Sequence, residues 1–310
     1  MCGRRCRGRN AGAFVWEDGP HLELILQTCV NGLVQSGFFA LWAVGLVLIF
    51  GVMGIINFAH GELVMAGAYV VWVLYSKSGW PFPAAVLAAL VVVTLMGLLM
   101  EAALFRPLRD NPLGGLIASI GILFILQVIA VKIGGLGLMK HVPPAVPGTV
   151  EIVEGVRVAA QRLAGLGVSV ALLLLVWAFL THSKLGWALR AVAQDREAAA
   201  LQGININRIS MIAMGVGAAL AGVAGALMAP LVRVEPYMGH TVIITAFIVT
   251  IVGGIGSISG AVLASVLYAF FHTFITTYYG GTVATILGLV IMLAVLIVKP
   301  TGIMGARVSE

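Results

Sequence analysis

Val242-IITAFIVTIVGGIGSISGAVLASVLYAFFHTFITTYYGGTVATILGLVIMLAVLI-Val298 decides the architecture, because no Asp, Glu, Lys or Arg interrupts it. A hydrocarbon core about 30 Å thick asks for about 20 apolar residues per helix, so this run holds more than one crossing. Outward from it the pattern repeats. Residues 113–131 and 165–181 carry no formal charge, and residues 22–75 carry only Glu23 and Glu62. In lipid the backbone must satisfy itself, and strand-like alternation is absent, so the runs read as helices. Hydrophobic residues make up 61% of the chain and charged ones 10%, whereas soluble domains carry about 25% charged residues. With so few polar groups to cover an outside, a soluble globular enzyme is excluded. The expectation is an all-α polytopic membrane protein with about eight transmembrane helices and Gly-rich helix breaks.

Three regions follow. Residues 1–21 form a basic extension with Arg4, Arg5, Arg7 and Arg9, too polar for lipid and too short to fold alone, hence expected to be disordered. Residues 22–305 form the membrane domain, and 306–310 a C-terminal tail. Crossings are expected within Leu24–Phe50, Glu62–Tyr75, Ala84–Phe105, Leu113–Val131, Gly165–Thr181, Ser210–Met228, Thr241–Tyr279 (long enough for two around a Gly-rich break) and Thr282–Val298. The Pro-containing stretch Lys132–Arg162 is the longest polar loop. Arg106/Arg109, the group Lys184, Arg190, Arg196 and Arg208, and Lys299/Arg307 should share the cytoplasmic face. That count places the N-terminus outside, against its arginines. The net charge of +6 is explained by such loops, and no nucleic-acid partner is expected. Cys2, Cys6 and Cys29 make no disulfide framework, and no metal-ligand spacing appears.

There is no phosphate-binding glycine loop of the G-x-x-x-x-G-K-[ST] type and no catalytic constellation, so no catalytic residue, metal or cofactor is expected. Ionisable residues within spans are costly and therefore functional candidates. They are His60, Glu62 and Glu101, with Glu23 and His272 at the margins. Gly54-Ile-Ile-Asn57-Phe-Ala-His60-Gly61-Glu62 interrupts two apolar runs, and broken helices expose groups to a polar path. Asn57, His60, Gly61 and Glu62 are therefore candidate pathway residues. The alternative is that they cap and lock helix ends, and for Glu62, opening the next helix, a structural or gating role is favoured. A second break, Gly253-Gly254-Ile-Gly256-Ser-Ile-Ser-Gly260, overlays the first at a shift of 199 residues: Gly54 on Gly253, Gly61 on Gly260, Tyr69 on Tyr268. Paired interruptions in two halves point to a central path, so Gly253, Gly254, Gly256 and Gly260 are candidate pathway residues too, with close helix packing through small residues as the alternative reading. Residues 182–208 are charged yet helix-forming. Trp187, Leu189 and Val192 would anchor them, with Lys184, Arg190, Asp195, Arg196 and Glu197 in water. A short surface helix able to dock a partner fits, a plain connecting loop being the alternative.

GIINFAHGE (54–62), LIASIGILFILQ (116–127), LGWALRAVAQDREAAALQGIN (185–205), VGGIGSISGA (252–261) and KPTGIMG (299–305) stand in an order that resembles the LivH-type permeases of high-affinity branched-chain amino-acid ABC importers. The resemblance implies an ABC-importer permease bundle in the bacterial inner membrane. It also implies a LivM-like second permease, two cytoplasmic ATP-binding subunits that alone bind ATP, and a periplasmic substrate-binding protein. Glu197-Ala198-Ala199-x3-Gly203 resembles the first half of the EAA signature through which such permeases engage ATPases. Leu185, Gly186, Arg190 and Asp195 join it as coupling residues. The second half departs, with Ala213-Met-Gly-Val where Ile-x-Leu-Pro is expected. The group does not separate branched-chain amino acids from urea, amides or other amino acids, and an independent carrier or channel is the other class.

Overall fold

The computed structural model describes residues 18–135, 139–153 and 155–305. The expected extension lies outside them up to residue 17, as does the tail 306–310, and with them Cys2, Cys6 and Arg307.

Helix α1 spans Asp18–Met53. An extended return, residues 54–59, leads to α2 (His60–Val71), which runs on as a π-helical turn, Trp72–Lys77. Helix α3 (Phe82–Met100) likewise ends in a π turn, Glu101–Phe105. Helix α4 (Pro112–Gly134) starts where Pro112 is tolerated at the first turn and Asn111 accepts the Gly114 N–H at 3.0 Å. Strands β1 (Thr149–Val153) and β2 (Val156–Ala159) pair antiparallel, with Thr149 opposite Ala159. There follow α5 (Ala160–His182), α6 (Lys184–Gln194), α7 (Arg196–Leu201), α8 (Ile206–Met228), α9 (Met238–Gly253), α10 (Ile258–Tyr279) and α11 (Gly281–Val298).

Among the described residues, seven helices are long and apolar enough to cross a membrane, from within α1 and from α3, α4, α5, α8, α10 and α11. Intervals expected to cross at Glu62–Tyr75 and in the first half of Thr241–Tyr279 fold instead around the shorter α2 and α9. The expected plain loop Lys132–Arg162 contains the β-hairpin, whose Val156 and Val158 are buried.

Helices α1 and α8 form the interior, and α8 approaches its neighbours through small residues. A Cβ at Gly225 would run into the Val64 carbonyl, and one at Gly217 would stand 2.8 Å from the Gly45 carbonyl oxygen. Without a hydrophobic drive between helices in lipid, such backbone proximity supplies the packing.

Two ends are distinguishable. At one, Arg109 donates to Asn207 in the first turn of α8, and Arg196 lies near enough to oppose its charge. Residues 301–305 lie there too, against Gly254. This basic end unites the loops expected to share a face. At the other, the Arg157 N–H donates to Gln27 (3.1 Å) and Arg162 to Asn31 (3.0 Å). The start of α1 thus lies beside the hairpin, opposite the basic end.

Candidate functional site

The first candidate segment makes a deep return into the bundle. Gly54 takes φ +66°, a conformation that favours glycine, and turns the chain back after α1. The Asn57 side-chain Oδ1 accepts from the Ala59 N–H (3.0 Å), and the Phe58 N–H donates to Ser119 Oγ on α4 (3.1 Å). His60 Nε2–H donates to the Trp42 carbonyl oxygen (3.1 Å), and Gly45 leaves the room its ring needs. Trp42 stands 11 residues before the end of α1, about 16 Å above the basic end at 1.5 Å per residue. Helix α2 therefore begins near mid-depth of a bilayer core about 30 Å thick.

Helix α9 begins beside it. A Cβ at Gly61 would collide with the Gly239 carbonyl, and one at Gly239 would stand 2.6 Å from the Glu62 carboxylate. Glu62 is completely buried. Its Oε1 accepts from Gln127 Nε2 (2.9 Å), which also lies 3.1 Å from His240 Nε2, while Oε2 has no partner. The positive ends of α2 and α9 face this carboxylate and offset part of its desolvation. Asn57, His60, Gly61 and Glu62 thus form an occluded crossing of two short helices. Gln127 and His240, which the sequence reading missed, complete it. The signal for Gln127 was a lone amide in an apolar run, and His240 stood where a loop was expected to end.

The second break lies at the basic end, roughly 20 Å away along α9. Gly254 (φ +109°) and Gly256 (φ +82°) turn the chain, and Ser257 caps α10 by accepting the Gly260 N–H (3.1 Å). A Cβ at Gly253 would stand 2.6 Å from Gly260, so backbone meets backbone. The KPTGIMG segment gains a role here. The Ile303 and Met304 N–H groups donate to the Val252 and Gly253 carbonyls (2.9 and 3.0 Å) and seal the end of α9. Of the overlaid pairs, Tyr69 and Tyr268 play matching parts. Each packs on a glycine of a later helix, Gly134 and Gly288. The breaks themselves differ, one a six-residue return and the other a four-residue turn.

The charged segment is two helices rather than one. Ser183 caps α6 and Asp195 caps α7, accepting the Gly186 and Ala198 N–H groups at 2.9 Å each. Gly186 lets α6 rest on the last turn of α5, and Gly203 (φ +82°) follows α7. Leu189, Val192 and Ala199 are buried anchors. Trp187 is not: it is 58% exposed, its indole N–H held by the Thr181 carbonyl (2.7 Å), because the helix turns that face away from the bundle. Leu185 and Leu201 are exposed as well; Arg190, Glu197 and Ala198 also face outward, whereas Arg196 is half-buried. A cavity of about 840 Å³ separates this segment from the second break, lined by Arg190, Gln194 and Asp195 on one side and residues 255–259 on the other.

Glu101, singled out as an ionisable residue in a span, is completely buried and binds Arg106 (2.9 Å) and Arg109 (3.0 Å). Burial and the neighbouring Arg196 both push the Arg109 pKa down, against the pull of Glu101. Glu23 is exposed at the hairpin end, and His272 is half-buried against Phe39 and Tyr268. Among the described residues no group of three or more His, Cys, Asp or Glu could hold a metal ion.

Residues 28–299 match the family model described as the branched-chain amino acid transport system permease component. The chain is 34% identical to the high-affinity branched-chain amino acid transport system permease protein BraD of Pseudomonas aeruginosa, over 92% of this chain and 97% of that protein. It is 31% identical to LivH of Escherichia coli K12, a permease protein of the same description, over 90% and 95%. Identity to the probable branched-chain amino acid transport permease protein LivH of Methanocaldococcus jannaschii is 28%, over 89% and 91%. Among solved structures the fold resembles a chain of PsaBC from Streptococcus pneumoniae in complex with Fab, with a TM-score of 0.52 and 15% identity over 88% of this chain and 92% of that one.

Proposed function

The chain belongs to the family of branched-chain amino acid transport permease components and is a multi-pass membrane protein, and from that premise we propose that it forms half of the translocation path of an ABC importer for branched-chain amino acids. The relatives' names carry the substrate class. In this reading the protein lies in the bacterial inner membrane with its basic end in the cytoplasm. It works beside a LivM-like second permease, two ATP-binding subunits and a periplasmic binding protein. It catalyses nothing itself, and ATP binds only to its partners.

The observation that carries the mechanism is the cavity shared by the coupling segment and the second break. Leu185, Trp187 and Leu201, apolar yet exposed at an aqueous end, offer the ATPase a surface. Closure of the ATPases pulls on α6 and α7. The pull crosses the cavity to residues 254–259 and travels along α9 to the crossing at Glu62, where the path opens. Bistable packing of short helices suits such a switch better than continuous deformation.

Uptake of labelled leucine by proteoliposomes holding the full assembly tests this. Accumulation should require ATP and loaded binding protein. The chain alone should accumulate nothing under a proton or sodium gradient, and uptake in that condition would replace the proposal with an independent carrier.

A further inference from the structure

Building on the permease reading, we infer that the first turn of α9 is a station on the path that receives the α-carboxylate of an amino acid, with His240 and Thr241 as donors and Glu62–Gln127 as the pair that orients the histidine. His240 lies 13 residues above Gly253 and Gln127 lies 15 above Pro112, both roughly 20 Å above the basic end and therefore well inside the bilayer core. Yet His240 and Thr241 are exposed, while the rest of α9 is buried or half-buried. An imidazole and a hydroxyl at that depth do not face lipid; they face protein or a water-filled path.

The hydrogen bonds set the histidine. The Gln127 amide nitrogen donates one of its hydrogens to Glu62 Oε1 (2.9 Å). Its second hydrogen goes to His240 Nε2, which must accept. The neutral ring then carries its proton on Nδ1, on the side away from Gln127. That N–H, the Thr241 hydroxyl and the positive end of a 16-residue helix form a donor array for an anion. Behind it Glu62 Oε2 is fully buried, unpartnered and pressed against the same turn at Gly239. One turn along, half-buried Ile244 and Phe247, the latter 5.1 Å from Phe58, offer an apolar rest for the side chain. This order of head and tail fits a branched-chain amino acid and leaves urea, which lacks a carboxylate, without purchase.

The test uses the complete transporter in proteoliposomes, with Cys2, Cys6 and Cys29 replaced by Ser and Thr241→Cys introduced. A membrane-impermeant thiosulfonate should label this position, and turnover with leucine-loaded binding protein should protect it, whereas urea should not. His240→Ala should weaken the protection roughly tenfold, as expected for loss of a charge-assisted hydrogen bond. Gln127→Leu should leave labelling intact and lose the protection, a split that a merely structural role would not produce. An unlabelled Thr241→Cys in a transporting assembly, labelling without protection, or protection that survives Gln127→Leu each overturns the station. Should Thr241→Cys fail to assemble, Ile244→Cys reads the same protection one turn along. Loss of ATP-driven leucine uptake by the wild-type assembly marks instead the failure of the permease reading.

Discussion

Glu101→Gln removes the buried charge that anchors the turn between α3 and α4. Both arginines reach it at 2.9–3.0 Å, but they are not equivalent: the Arg106 side chain is 38% exposed and the Arg109 side chain 10%. Breaking a buried pair costs about 3–5 kcal/mol, and a solvent-screened one about 1 kcal/mol or less. The Arg109 arm therefore dominates. Glutamine still accepts a hydrogen bond and recovers about 1 kcal/mol, so a net loss of about 2–4 kcal/mol is expected. The loss also releases Arg109 from its place between Asn207 and Arg196, so coupling should suffer beyond stability. Double-mutant cycles of Glu101→Gln with Arg109→Gln and with Arg106→Gln, followed by pulse proteolysis in detergent, separate the arms. Coupling should exceed about 1.5 kcal/mol for Arg109 and stay under about 1 kcal/mol for Arg106. Equal couplings would refute the argument from burial.

Gly61→Leu drives a side chain into the Gly239 carbonyl and Ile243. It should part α2 from α9, cost about 1–3 kcal/mol of overpacking and abolish leucine uptake; normal uptake would show that the crossing does not move in transport. Glu197→Arg, exposed on α7, should leave folding within about 0.5 kcal/mol of the wild type but weaken ATPase co-purification or uncouple hydrolysis from uptake; unchanged uptake would argue against docking there. Gly254→Ala meets both a positive φ of +109° and the backbone of Gly305. It should destabilise by about 1–3 kcal/mol and expose residues 299–305 to protease, and an unaltered digestion pattern would count against the seal on α9.

What the sequence determined by itself is everything that depends on local composition. Apolar runs without charge can only be helices in lipid, because no other local structure satisfies their backbone there. The glycine-rich stretches at 54–61 and 253–260 marked the breaks, because turns are made by neighbours in sequence. Basic loops declared a common face. The break of the coupling segment at Asp195 was less legible, since helix propensity ran straight through it, and the exposure of Trp187 depends on which face α5 leaves open. The tertiary structure alone decided where α2 and α9 meet. Gln127 and Glu62 are 65 residues apart, and Arg109 and Asn207 98. A polar side chain in an apolar run carries no mark of its distant partner. Only the packing of backbone on glycine, which brings three helices together near mid-depth, turns a solitary amide, a histidine and a carboxylate into one site.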